Sequence, residues 1–94
     1  MFTRMTNWKT KETDVEAIQS NVERKRAEIL AVPELLALNV VWKEDGSGVT
    51  IAVYESEAAA NAASTQIQAI WGDLASMFSA QPETATYSKA IILK

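Results

Sequence analysis

The stretch Leu35 to Lys43 constrains this chain more than any other. Read as a strand, it places Leu35, Ala37, Asn39 and Val41 on one face and Leu36, Leu38, Val40 and Trp42 on the other. Both faces are apolar, which is the pattern of a strand covered on two sides. Glu44-Asp45-Gly46-Ser47-Gly48 follows as a turn, and Val49 to Glu55 resumes the strand pattern, so residues 35–55 read as a β-hairpin.

A helix is predicted on either side of this hairpin. Thr13-Asp14-Val15-Glu16 fits a capping box, in which the Thr13 hydroxyl accepts the Glu16 amide proton and the Glu16 carboxylate reaches back. Val15, Ile18, Val22 and Ile29 then share one stripe at helical spacing, and Pro33 stops the helix because it has no amide proton. After the hairpin, Ser56 is placed to cap a second helical region. Its stripe runs Ile67, Ile70, Trp71, Leu74 and Phe78. Gly72 predicts a bend or break there, and Pro82 closes the region. Phe2 to Thr10 and Thr84 to Leu93, rich in Thr, Tyr, Ile and Trp without a helical period, read as the first and last strands.

The order is therefore β-α-β-β-α-β, with residues 1–94 forming a single domain. Two right-handed crossovers around a hairpin give an α+β, ferredoxin-like fold: a four-stranded antiparallel sheet with both helices on one face. Two helices cover only that face, so the other, apolar on strand 35–43, is left open. A second copy is the simplest cover, which predicts a homodimer with two sheets packed face to face. The alternative is a monomer whose second face is merely less polar than average.

Composition then removes chemistry. The 94 residues hold no cysteine and no histidine, which excludes disulfides, thiolate metal sites, histidine triads and a histidine haem ligand. Acidic residues scattered over Asp14, Glu16, Asp45, Asp73 and Glu83 predict no metal site. Gly46-Ser47-Gly48 is too short for a phosphate loop. Nine basic against twelve acidic residues give a net charge of −3, opposite to what nucleic-acid binding needs. Arg24-Lys25-Arg26, flanked by Glu23 and Glu28, reads as a solvated helix face. No signal peptide and no run near the ~20 apolar residues of a membrane span is present, so a cytoplasmic, membrane-free protein is expected.

The element order, the hairpin Trp42-Lys43-Glu44-Asp45-Gly46 and the step Val53-Tyr54-Glu55-Ser56-Glu57-Ala58-Ala59 together resemble the dimeric α+β-barrel superfamily, in particular its antibiotic-biosynthesis-monooxygenase-like domains. The resemblance spans essentially the whole chain. It implies a small-molecule cavity between sheet and helices and, in some members, oxidation of an aromatic or polyketide-like substrate with no cofactor. Haem-degrading members use an Asn on the first strand, a position Asn7 could fill. Their early-helix Trp and proximal histidine have no counterpart here, which disfavours that chemistry. A non-catalytic dimer that binds a small molecule or serves as an interaction module is the rival reading. A third is a regulatory ferredoxin-like domain with ligands at the subunit interface.

The side chains that could serve such a cavity are few. Arg26 lies at the centre of the stripe formed by Val15, Ile18, Val22 and Ile29, where its fork of donors could hold an anion; alternatively it snorkels to the helix edge or pairs with a Glu. Asn7 and Trp8 point to opposite faces of the first strand, so only one of them meets the helices. An inward Asn7 could polarise a substrate oxygen, or be satisfied by backbone; Asn39 poses the same question. Trp8, Trp42, Tyr54 and Tyr87 could contact a planar aromatic ligand, whereas Trp71 on its apolar stripe reads as core. With Asn7 and Arg26 as candidate catalytic groups, the substrate-binding set expected is Trp8, Asn39, Trp42, Tyr54 and Tyr87.

Overall fold

The structure, a computed structural model, describes residues 1–94 apart from the side chains of Glu12, Thr13 and Asp14. It has the expected α+β architecture: a four-stranded antiparallel sheet in the order β2-β3-β1-β4. The strands are β1 (Phe2–Lys9), β2 (Leu35–Trp42), β3 (Ser47–Tyr54) and β4 (Glu83–Tyr87). The capping box read at Thr13 falls on the undescribed side chains and lies outside the described residues.

Both helical regions are broken: the first where one continuous helix is expected, the second at Ala63 and again just beyond Gly72. The first opens with a 3-10 turn, Glu12–Ala17, and then splits into α1 (Ile18–Arg24) and α2 (Arg26–Leu30). At the junction the Lys25 amide bonds back only three residues, to Val22 (3.0 Å). Lys25 lies three residues after Val22 and four before Ile29, so it shares their cavity-facing side, while Arg26 falls at the edge of that stripe and is exposed. The second region divides at Ala63 into α3 (Glu57–Ala62) and α4 (Ser64–Asp73), followed by a 3-10 turn, Ala75–Met77. Near Gly72, where a bend or break is expected, α4 ends one residue beyond it at Asp73, and the Leu74 amide bonds back only three residues, to Trp71 (3.1 Å). A methyl group at Gly72 would meet no atom within 4 Å, so Gly72 sits on the solvent side and costs helix propensity there. Ser56 does cap α3, its hydroxyl accepting from the Ala59 amide at 3.1 Å.

The sheet departs from expectation in two places. A bulge between Leu35 and Ala37 turns Leu35 to the helix side beside Tyr54 and leaves Leu36 exposed, whereas simple alternation pairs Leu35 with Ala37. The last strand also stops at Tyr87, which pairs with Thr3 close to the start of β1, so residues 88–94 have no strand left to pair with. Between β2 and β3, Gly46 takes φ +88° and Asp45 accepts from the backbone and hydroxyl of Ser47. Those two bonds hold the Asp45 carboxyl below its ordinary range.

All helices pack on one face of the sheet, and they build a core in two parts. Phe2, Ala52 and Tyr54 pack with Val32, Ala59, Ala60 and Ala63 at one end, and Trp8 packs with Ile18, Ile70, Leu74, Met77 and Phe78 at the other. Ile67 touches both clusters. Strand registers place Met5, Val41, Val49, Ile51, Val53, Ala85 and Tyr87 on the opposite face, which no helix covers. Val41 and Tyr87 there are 52% and 48% exposed. No helix among the described residues is long and apolar enough to cross a membrane.

Candidate functional site

Between the two core clusters lies a cavity of about 330 Å³, walled by sheet on one side and helices on the other. That is within the range of small-ligand pockets. The strands supply its floor: Arg4, Thr6 and Trp8 from β1, Thr50, Ala52 and Tyr54 from β3, Leu38 and Val40 from β2, and Thr84 from β4. These are alternate residues, as a single sheet face requires.

Aromatic rings close one end. Phe78 stands between Trp8 and Trp71, with ring centroids 5.9 and 5.6 Å away and planes tilted by 54° and 43°. Trp71, expected as core, is only half-buried because it forms the cavity wall. The Trp8 indole lies flat on β3, where a Cβ at Gly48 would meet its ring atoms at 2.3 Å, and its Nε1 donates to Thr50 Oγ1 at 3.0 Å. Thr6 and Thr84 share a hydrogen bond of 2.9 Å across β1 and β4.

Three ionisable groups line the space, and each has a distinct state. Lys25 lines the cavity on the side of Val22 and Ile29, where Asp73 Oδ2 accepts from its Nζ at 2.5 Å and Glu28 lies at 3.4 Å. The Asp73 bond raises the Lys25 pKa above its ordinary value and lowers that of Asp73. Lys25 is therefore a charged strut between the first helical region and α4, not an amine nucleophile. Arg4 lies against the rings of Phe2 and Tyr54, 5.7 and 6.0 Å from their centroids. Tyr54 is 1% exposed; burial pushes its phenol pKa up, and the smaller pull of Arg4 does not reverse this. At neutral pH it is a proton donor.

The structure scatters the residues that the sequence singled out. Trp8 and Tyr54 line the cavity. Arg26 and Trp42 line a separate groove between the first helical region and edge strand β2. There the Arg26 side chain is 64% exposed and pairs with Glu23 through two bonds of 2.5 and 2.6 Å, which lower the Glu23 pKa and raise that of Arg26. Asn7, Asn39 and Tyr87 lie on the open sheet face, exposed. Arg4, Thr6 and Thr84 escape the sequence reading, and Lys25, read as part of a solvated helix face, is instead buried against the cavity. The alternation of β1 does carry a signal for Arg4 and Thr6, because both share the face of Trp8, and the spacing of Lys25 from Val22 and Ile29 carries one for Lys25.

No family model and no curated protein matches this chain. Solved structures do, at fold level. A candidate antibiotic biosynthesis monooxygenase from Nitrosomonas europaea aligns with TM-score 0.80 and 13% identity over 97% of this chain and 100% of its own. Another from Caulobacter crescentus aligns at 0.79 and 12%, over 96% and 90%. A variant of SnoaB, a cofactor-independent oxygenase from Streptomyces nogalater, aligns at 0.73 and 18%, over 98% and 95%. The chain has the ferredoxin-like fold that these antibiotic-biosynthesis-monooxygenase structures share.

Proposed function

We propose that this chain forms a cytoplasmic homodimer whose helix–sheet cavities each bind a small aromatic molecule and oxidise it with dioxygen, without a metal or organic cofactor. The cavity carries this reading: an aromatic-walled hollow with a few polar groups in a fold that includes a cofactor-independent oxygenase. In the reaction envisaged, an acidic ring CH2 of the substrate loses a proton to solvent. The resulting carbanion, delocalised as a phenolate, reduces dioxygen and combines with it as a peroxide. Protonation and loss of water then leave a ring carbonyl, so one oxygen atom enters the product and the other leaves as water. The protein's part is to orient the ring, exclude bulk water and donate hydrogen bonds to the anion, roles open to Tyr54, Arg4 and the cavity threonines.

One observation favours a second reading, a binding protein without turnover. Neither Lys25 nor Tyr54 is poised to accept a proton at neutral pH, and no carboxylate or imidazole lines the cavity, so the site offers no general base among the described residues. Oxygen-electrode assays with anthrone- and quinol-type compounds separate the two. An oxygenase consumes one O2 per quinone formed. Saturable binding of the same compounds with no oxygen uptake above the protein-free rate favours the binding protein.

A further inference from the structure

We infer that the cavity selects a flat aromatic ligand carrying one negative charge, and that Arg4 is the group that reads it. The inference rests on the reading of this cavity as a ligand site. Two cations line it. Lys25 is neutralised twice over, by Asp73 at 2.5 Å and Glu28 at 3.4 Å. Arg4 forms no ion pair among the described residues. Its partners are all neutral oxygens: Ala60 O at 3.3 Å and Ser64 Oγ at 3.4 Å accept from Nη1, and Asn61 Oδ1 accepts from Nη2 at 3.1 Å. These bonds, with the flanking rings of Phe2 and Tyr54, hold the guanidinium in place without cancelling its charge. A guanidinium has five N–H donors, and Nε–H is among those left without a partner among the described residues.

A fixed, uncompensated cation at the edge of a mostly apolar hollow favours an anion far more than a neutral guest, because the low local dielectric strengthens the attraction. The fork geometry of the guanidinium suits a carboxylate. The tilted rings of Trp8, Phe78 and Trp71 at the far cluster offer faces and edges to a fused-ring body. Charge at one end and aromatic surface at the other define the class: a small aromatic carboxylate or its phenolate equivalent.

Isothermal titration of the intact protein with 2-naphthoate and its neutral isostere 2-naphthamide, paired with NMR of the indole N–H signals, tests this. The expected result is that naphthoate binds at least about tenfold tighter than the amide, as one charge-assisted hydrogen bond gives, with both ligands shifting the Trp8 signal. In Arg4→Met that preference collapses to near unity while the amide still binds; in Arg4→Lys part of it survives. The wild-type comparison alone decides the matter if Arg4→Met fails to fold. Equal binding of the two ligands at Trp8 overturns the role of Arg4 and leaves the cavity reading standing. If neither ligand binds, or if the shifts avoid Trp8 altogether, the cavity reading falls and this inference falls with it.

Discussion

At the scale of single residues, Gly48 and Lys25 do more than their composition suggests. Gly48 is where the Trp8 ring lies against the backbone, so Gly48→Ala must push the indole off β3 and strain its bond to Thr50. Overpacking of this kind costs about 1–3 kcal/mol, and we expect a lower denaturation midpoint with a shifted tryptophan emission spectrum. An unchanged spectrum would mean that the indole does not rest there. Lys25 and Asp73 predict a pH dependence at both extremes. Asp73 has a lowered folded pKa, so its contribution is complete above the unfolded carboxylate value of about 3.9 and is lost as pH falls through the folded one. Lys25 has a raised folded pKa, so its contribution is complete below about 10.4 and is lost as pH rises through the folded one. Thermal melts across pH should fall at both ends, and Lys25→Met should flatten both limbs. Arg26, paired with Glu23 in solvent, should be replaceable by Ala with no detectable change in the melt.

At the scale of elements, hydrophobic period located every strand and both helical regions, because that signal acts within a few residues. Ser56 shows the local case for capping: a hydroxyl one residue before α3 accepts from the Ala59 amide. The breaks at Lys25 and Ala63 were not legible. The junction at Lys25 accompanies a salt bridge to Asp73, forty-eight positions away, and no local pattern records that contact. The bulge that turns Leu35 inward is likewise set by pairing with β3. At the candidate site, alternation along β1 makes the inward face of Trp8, Thr6 and Arg4 readable once one of them is oriented. By contrast, Arg26 is exposed because Lys25, three residues after Val22 and four before Ile29, takes the inward position on that stripe. Gly72 lies one residue before the end of α4, and its open surroundings make a prediction. Gly72→Ala should raise stability by about 0.5–1 kcal/mol in urea melts, through helix propensity and a less flexible unfolded chain. A loss of stability would place Gly72 against something solid.

At the scale of the whole molecule, the dominant fact is one-sided cover. Met5, Val49, Ile51 and Val53 are half-buried on a sheet face that carries no helix, and Val41 and Tyr87 extend the apolar surface outward. Ile91, Ile92 and Leu93, beyond the last strand, are exposed by 76%, 52% and 88%. Asn7 and Asn39 interrupt this face, yet an exposed apolar patch of this kind marks an interaction site in soluble proteins. Sedimentation at micromolar concentration should therefore find a dimer, and Ile51→Asp should shift it toward monomer by burying an unpaired charge in the contact. A wild-type monomer at that concentration would remove the homodimer from the proposed function while leaving the fold intact.

The divided core carries a further consequence. Among the described helix side chains only Ile67 packs against both hydrophobic clusters, so little side-chain packing bridges them. Each wall of the hollow forgoes the dispersion contacts that a neighbouring side chain would give it. A guest that fits therefore acts as a missing piece of core as well as a ligand. Held at a hundred times its dissociation constant, such a guest should add about 2.7 kcal/mol to folding and slow amide exchange on either side of the gap at once.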